Sequence, residues 1–179
     1  MKEIEVKAKL KDKEKVLEKL KSMGCILSLP IKQIDTVYTK IIGNIDEYMK
    51  NDHFLRIREK SDGTFIFTVK KPTSWNVLTK SEHETEIKNK NELEQAIFLM
   101  GYKIANKVIK NRITTHFNEF EICIDEVEKM GTFIEVEKIS GDDINKIRKE
   151  VNDFLILLNV SLDDEVKKGY DVIAVENNL

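Results

Sequence analysis

Charged and aliphatic residues alternate one for one at the start of this chain, Met-Lys-Glu-Ile-Glu-Val-Lys-Ala-Lys-Leu, and that alternation returns along most of its length. In a β-strand successive side chains point to opposite faces, so Glu3, Glu5 and Lys7 share one face and Ile4, Val6 and Ala8 the other. Later segments repeat the pattern. Arg56 and Arg58 oppose Leu55 and Ile57, and Thr68 and Lys70 oppose Phe67 and Val69. Lys80, Glu82, Glu84 and Glu86 share a face, as do Lys110 with Arg112, Cys123 with Asp125, and Glu135 with Glu137. Strands of this kind bury one face and leave a polar face for water or for a polar interior.

The strands are joined by few helices. Asp12 can cap a helix lined by Val16, Leu17, Leu20 and Met23 and ended by Gly24. After Pro30, residues 32–40 read as a strand with Gln33, Asp35, Val37 and Thr39 on one face, and residues 41–52 as an irregular loop. A hairpin follows, with arms at 53–60 and 64–71 around Ser61-Asp62-Gly63. Residues 72–79 form a polar loop carrying Trp75. A strand from Lys80 precedes a helix opened by Asn91 and Glu94 and closed by Gly101. Strands are expected at 108–115, 119–127 and 132–139, then a helix led by Ser140 and short helices broken at Gly169. The expectation is an α+β chain of eight antiparallel strands, forming a single domain over 1–179.

Charge narrows the function. Charged residues are 35% of the chain, against a norm of about 25%. Lys+Arg 30 nearly cancels Asp+Glu 32, leaving −2, which argues against general attraction to nucleic acid or anionic membrane. Cys25 and Cys123 have neither a CxxC partner nor a nearby histidine, so no zinc site is expected and a reducing compartment is. No basic end with an apolar run behind it marks a signal peptide, and no run is long enough to span a membrane. These features together read as a cytoplasmic protein.

Two architectures satisfy the alternation. An open sheet would pack its apolar face on helices and show its charged face to water. A closed eight-stranded antiparallel β-barrel, flanked by helices, would enclose a polar lumen and leave no edge. The charges sort by strand, which favours the barrel. Acids dominate the faces of Glu3/Glu5, Glu82/Glu84/Glu86, Asp125 and Glu135/Glu137, and bases those of Arg56/Arg58, Lys70 and Lys110/Arg112. Clustered arginines and lysines suit a polyanion. Clustered carboxylates need a compensating cation, and oxygen ligands without histidine or cysteine select Mg²⁺ or Mn²⁺.

Glu3-x-Glu5-x-Lys7 resembles the ExExK signature of the CYTH superfamily, the triphosphate tunnel metalloenzymes, and the order of the later motifs makes the match specific. They are Gln33-x-Asp35, Leu55-Arg56-Ile57-Arg58, Thr68-Val69-Lys70-Lys71-Pro72, Glu82-x-Glu84, Lys110-x-Arg112, Ile124-Asp125-Glu126-Val127 and Gly131-x-Phe133-x-Glu135-x-Glu137. The resemblance is to the CyaB-type branch, class IV adenylyl cyclases, in a superfamily that also holds triphosphatases. It implies metal-side carboxylates at Glu3, Glu5, Asp125, Glu135 and Glu137. It implies triphosphate-binding bases at Lys7, Arg56, Arg58, Lys70, Lys80, Lys110 and Arg112, with Lys7, Glu5 and Glu137 at the chemistry. Lys80 stands where such chains often have arginine, so Glu82/Glu84 and Glu84/Glu86 both fit the mid-chain acid pair.

The implied partner is a small triphosphate such as ATP or tripolyphosphate, bound by a monomer or homodimer, with no nucleic acid and no membrane. If the ribose 3′-hydroxyl attacks, the products are cyclic AMP and pyrophosphate; if water attacks, the enzyme is a triphosphatase. A non-catalytic polyphosphate-binding module would keep the bases and could lose the acids, and this chain keeps both. His53, His83 and His116 read as ordinary polar positions, and Cys123 has no base beside it for nucleophilic chemistry. Tyr48 and Trp75 are the aromatics that could stack on adenine.

Overall fold

The alternating segments fold as strands in a computed structural model that describes residues 2–72, 80–141 and 143–179, without the side chains of residues 2, 3, 72, 80 and 81. Trp75 and the side chains of Glu3 and Lys80 therefore lie outside the described residues. The strands are β1 (Lys2–Lys9), β2 (Ile31–Thr39), β3 (Phe54–Lys60), β4 (Phe65–Pro72), β5 (Lys80–Ile87), β6 (Lys103–Phe117), β7 (Phe120–Val127) and β8 (Gly131–Ser140). The helices are α1 (Lys13–Ser22), α2 (Ile45–Tyr48), α3 (Lys90–Leu99), α4 (Ile144–Leu157) and α5 (Tyr170–Glu176), with a 3₁₀ turn at Leu162–Asp164.

Eight strands hydrogen-bond in the order β1-β8-β7-β6-β2-β3-β4-β5, so β1 and β5 stand at the two ends of the order. The ladders β1–β8, β7–β8, β2–β3, β3–β4 and β4–β5 are antiparallel. The chain divides into two compact units. One is built mainly from Met1–Ile31 and Asn111–Lys167, the other from Lys32–Thr73, Lys80–Lys110 and Lys168–Leu179.

In the first unit the apolar faces of β1, β7 and β8 (Ile4, Val6, Ile122, Ile124, Ile134 and Val136) pack with the inner stripes of α1 and α4. Burying each such side chain contributes about 1.5–3 kcal/mol. The Phe154 ring on α4 stacks on Phe117 and Phe120 at centroid distances of 5.4 and 4.9 Å. In the second unit β2 is covered on both faces. Tyr38 joins Leu55, Ile57, Ile97 and Tyr102 on one side, while Val37 joins Tyr48, Phe54 and Val172 on the other. The second cluster closes over one end of the face that carries Asp35, Arg56 and Arg58.

Several boundaries differ from expectation for local reasons. Residues 41–52 are not wholly irregular: Asn44 and Glu47 form a reciprocal capping box around the one-turn helix α2, too short to show a periodicity. Asn89, not Asn91, caps α3, its side-chain oxygen accepting from the Glu92 N–H at 3.2 Å. Ser140 ends β8, and α4 is capped by Asp143, which accepts from the N–H groups of Asn145 and Lys146. β6 begins at Lys103, five residues before the alternation of Val108 and Lys110 makes it legible. Gly24 and Gly101 end α1 and α3 at φ of 86° and 85°, a conformation open to glycine at little cost. Among the described residues no helix is long and apolar enough to cross a membrane.

Candidate functional site

In the second unit the antiparallel register sets polar residues of neighbouring strands side by side. Asp35 on β2 faces Arg58 on β3 and accepts from both its Nε (2.7 Å) and its Nη2 (2.8 Å), a planar two-point clamp. One row runs from Arg56 through Thr68 to Glu84 across β3, β4 and β5. Arg56 Nη2 donates to Thr68 Oγ1 (2.9 Å) and Glu84 Oε1 (2.6 Å), and the Thr68 hydroxyl donates to the same carboxylate oxygen (2.8 Å). In the next row Lys70 faces Glu82, their charged atoms 2.6 Å apart. Glu86 instead pairs across the ladder with Ile66 and is exposed. The register thus selects Glu82 and Glu84 as the acids on the bases.

Burial governs the electrostatics here. Burial pushes the Asp35 carboxyl up, but Arg58, Arg56 and Lys110 outweigh it and hold the group well below its ordinary value. Arg56 is lowered by burial and by its neighbour Arg58, against the pull of Asp35, Glu82 and Glu84. Its Nε is buried without an acceptor. Lys110, 2% exposed, lies with its ammonium 5.1 Å from the centre of the Tyr170 ring.

In the first unit a second set of charges gathers on β1, β6, β7 and β8. Asp125 is completely buried, and both its oxygens accept from Arg112, from Nε at 2.7 Å and Nη2 at 2.5 Å. Arg112 Nη2 also donates to Glu135. Burial pulls Arg112 down, but Glu135 and Asp125 outweigh it, so the guanidinium is held well above its ordinary value. Lys7 lies 3.2 Å from Glu135 and 3.7 Å from Glu5. Glu5 faces Glu137 across β1–β8, and Glu137 faces Glu121 across β8–β7. Three carboxylates stand in one row, where like charges directly opposite one another are destabilising.

That row offers the hard oxygen donors a divalent cation takes, and Glu5 Oε1 is buried without a hydrogen-bond donor. Among the described residues, however, no three acidic, histidine or cysteine side chains converge closely enough to hold a metal. The chemistry of the donor set fits Mg²⁺ or Mn²⁺.

The structure therefore sorts the residues singled out from the sequence. Arg56, Arg58, Lys70, Lys110, Glu82 and Glu84 belong to the second unit, and Glu5, Lys7, Arg112, Asp125, Glu135 and Glu137 to the first. Asp125, expected on the metal side, turns both oxygens to Arg112. Tyr48 is 1% exposed, with its hydroxyl donating to Asp171 Oδ2 at 2.6 Å, so it is a core residue and not a surface for adenine. Cys123 is buried, and burial pushes its thiol up to about 12, against the pull of Arg112, which leaves it inert as a nucleophile. His53 shares a hydrogen bond with the Tyr102 hydroxyl. Sequence reasoning missed Thr68 as a bridge, Asp35 as the clamp of Arg58, and Glu121 in the acid row. Glu121 was in reach, since it shares the face of Cys123 and Asp125 by period two.

Strands that carry bases clamped by acids in one unit and a row of carboxylates in the other make up an α+β chain. The sequence pattern of the CYTH domain matches residues 1–170, and the chain belongs to that family. A Methanocaldococcus jannaschii protein named "Putative adenylate cyclase" is 34% identical over 172 residues, 94% of this chain and 95% of its own. A Vibrio parahaemolyticus structure of the same name superposes with a TM-score of 0.81 at 19% identity, covering 97% of this chain and 98% of that one. A Hippeastrum protein, described as an adenylyl cyclase candidate with a dominant triphosphatase activity, superposes at 0.65 and 14% identity, covering 99% and 96%. The last two likenesses concern the fold.

Proposed function

We propose that this chain is a metal-dependent enzyme acting on a triphosphate, with the chemistry of a class IV adenylyl cyclase, ATP to cyclic AMP and pyrophosphate. The observation that carries the reading is the base cluster of buried Arg56 and Lys110 with half-buried Arg58 and Lys70, in which a guanidinium N–H of Arg56 has no acceptor. An unsatisfied buried donor of this kind costs about 1–3 kcal/mol, and a phosphate oxygen is the acceptor it suits. The name of the M. jannaschii relative supports the cyclase reading.

In this proposal Lys7, Arg56, Arg58, Lys70, Lys80, Lys110 and Arg112 bind the phosphates. Asp35 and Asp125 orient Arg58 and Arg112 through their two-point clamps. Glu3, Glu5, Glu135 and Glu137 hold Mg²⁺ or Mn²⁺, and closure of the strand order into a barrel belongs to the same proposal. When bound, the metal would neutralise charge on the triphosphate and polarise its phosphorus–oxygen bonds. Cyclisation requires the ribose 3′-oxygen to attack the α-phosphorus, lose its proton and displace pyrophosphate at the bridging oxygen. The attacking atom must be held in line, within about 3–3.5 Å.

Hydrolysis of the terminal phosphate is the second reading, and the burial of Tyr48 favours it. Cyclisation needs the adenosine fixed, and one of the two aromatics available for stacking is committed to the core and to Asp171.

Incubation with ATP, and separately with tripolyphosphate, in Mn²⁺ and in Mg²⁺ separates these readings by product. Cyclic AMP with pyrophosphate is the expected result. Orthophosphate, released faster from tripolyphosphate than from ATP, establishes the triphosphatase instead. Tight binding of both compounds with no product would leave a binding module.

A further inference from the structure

We infer that Tyr170, in the first turn of α5, is a positioning residue that fixes the Lys110 ammonium for phosphate; the inference rests on the reading of Lys110 as a phosphate-binding base. The aromatic ring lies 5.1 Å from Lys110 Nζ, within the range in which a ring face attracts a cation. Both groups are buried, Lys110 at 2% and Tyr170 at 8% exposed, so the attraction acts in a medium that screens it little.

The ring is itself held in place. A seven-residue helix has little stability of its own, so its position is set by what it packs on. Asn106, four residues before Lys110 and on the same face of β6, donates from Nδ2 to the Asp171 carbonyl at 3.0 Å. The Tyr48 hydroxyl grips the Asp171 carboxylate at 2.6 Å. Val172 and Val175 pack with Val37, Tyr48 and Phe54. Asp171 and Val172 thus anchor the first turn of the helix, and Tyr170, the residue before them, is left to meet Lys110.

Lysine is a flexible stem with a mobile point charge, and such a side chain loses much rotamer freedom when it must meet a phosphate oxygen. A ring that holds the ammonium before the substrate arrives removes that loss from the binding step. The phenolic hydroxyl has no part in this role, whereas the ring is essential to it. The same geometry makes α5 part of the phosphate-binding apparatus, although it contributes no charge to it.

Calorimetric titration of the full chain with tripolyphosphate tests the inference on wild type, Lys110→Ala, Tyr170→Phe, Tyr170→Leu and the Lys110→Ala/Tyr170→Leu double variant, with a melting curve for each. Tyr170→Leu should weaken binding about 5- to 30-fold, Tyr170→Phe less than about 2-fold, and Tyr170→Leu should add nothing once Lys110 is gone. Tyr170→Met supplies the same comparison if the leucine variant does not fold. Unchanged or tighter binding by Tyr170→Leu overturns the inference, as does an equal loss in the Lys110→Ala background. If wild type does not bind, or Lys110→Ala binds as wild type does, the reading of the base cluster fails and the inference falls with it.

Discussion

Replacing Asp35 with asparagine should lower the melting temperature by about 6–20 °C. Asp35 is nearly buried, accepts two hydrogen bonds from Arg58 and lies 3.8 Å from Arg56. Its removal leaves two guanidinium groups facing each other without the charge that separates them. Removing one partner of a buried ion pair costs about 3–5 kcal/mol. For a domain of this size each kcal/mol shifts the midpoint by about 2–4 °C.

The same carboxylate makes a signed prediction for acid. Its folded value lies below the ordinary 3.8, so the unfolded chain binds the proton first as pH falls. The stability that Asp35 contributes is therefore complete above about pH 4 and is lost on further acidification, through the folded value. Denaturant titrations from pH 7 to pH 2 should show that decline in wild type and a shallower one in Asp35→Asn. Equal slopes would mean that the clamp carries no net stabilisation.

Glu5→Gln and Glu137→Gln should abolish turnover, by more than about 100-fold, while leaving the metal-free protein as stable as wild type or slightly more so. Loss of a group that merely supports a metal ligand already costs about 10–100-fold, and a ligand should cost more. The stability half of the prediction comes from the register. Glu5, Glu137 and Glu121 stand opposite one another on adjacent strands, so neutralising one relieves repulsion worth about 0.2–1 kcal/mol. A turnover assay reads the first half, and melting curves with and without Mn²⁺ read the second together with metal binding, because a cation bound to the native state raises the midpoint. Near-wild-type activity under limiting metal would remove Glu5 and Glu137 from the metal assignment. A marked loss of metal-free stability would show instead that these carboxylates hold the sheet.

Most of the side chains in both charge clusters were legible because a strand has a period of two. Once Ile57 and Val69 are apolar, Arg56, Arg58, Thr68 and Lys70 must occupy the opposite face, whatever the rest of the chain does. The same arithmetic placed Lys110 with Arg112 and Glu135 with Glu137. Helices α1 and α4 were readable from their apolar stripes. The short helix α2 was not, since one turn contains no repeat.

Period two says which face a residue takes and is silent about its neighbour on the next strand. That neighbour depends on register and on strand order, here β1 beside β8 and β6 beside β2, which join segments far apart in sequence. Only the fold could therefore choose Glu82 and Glu84 over Glu86, give Asp35 to Arg58 and Asp125 to Arg112, or line Glu121 up with Glu137. Burial of aromatic side chains was equally hidden. Tyr48 and Tyr170 each stand in polar sequence, and it is the docking of α5 that puts one hydroxyl on Asp171 and the other ring over Lys110. The sequence by itself determined the faces and the charge each would carry. The tertiary structure alone decided which charges meet, because a long-range contact depends on the path of the whole chain and local patterns do not encode it.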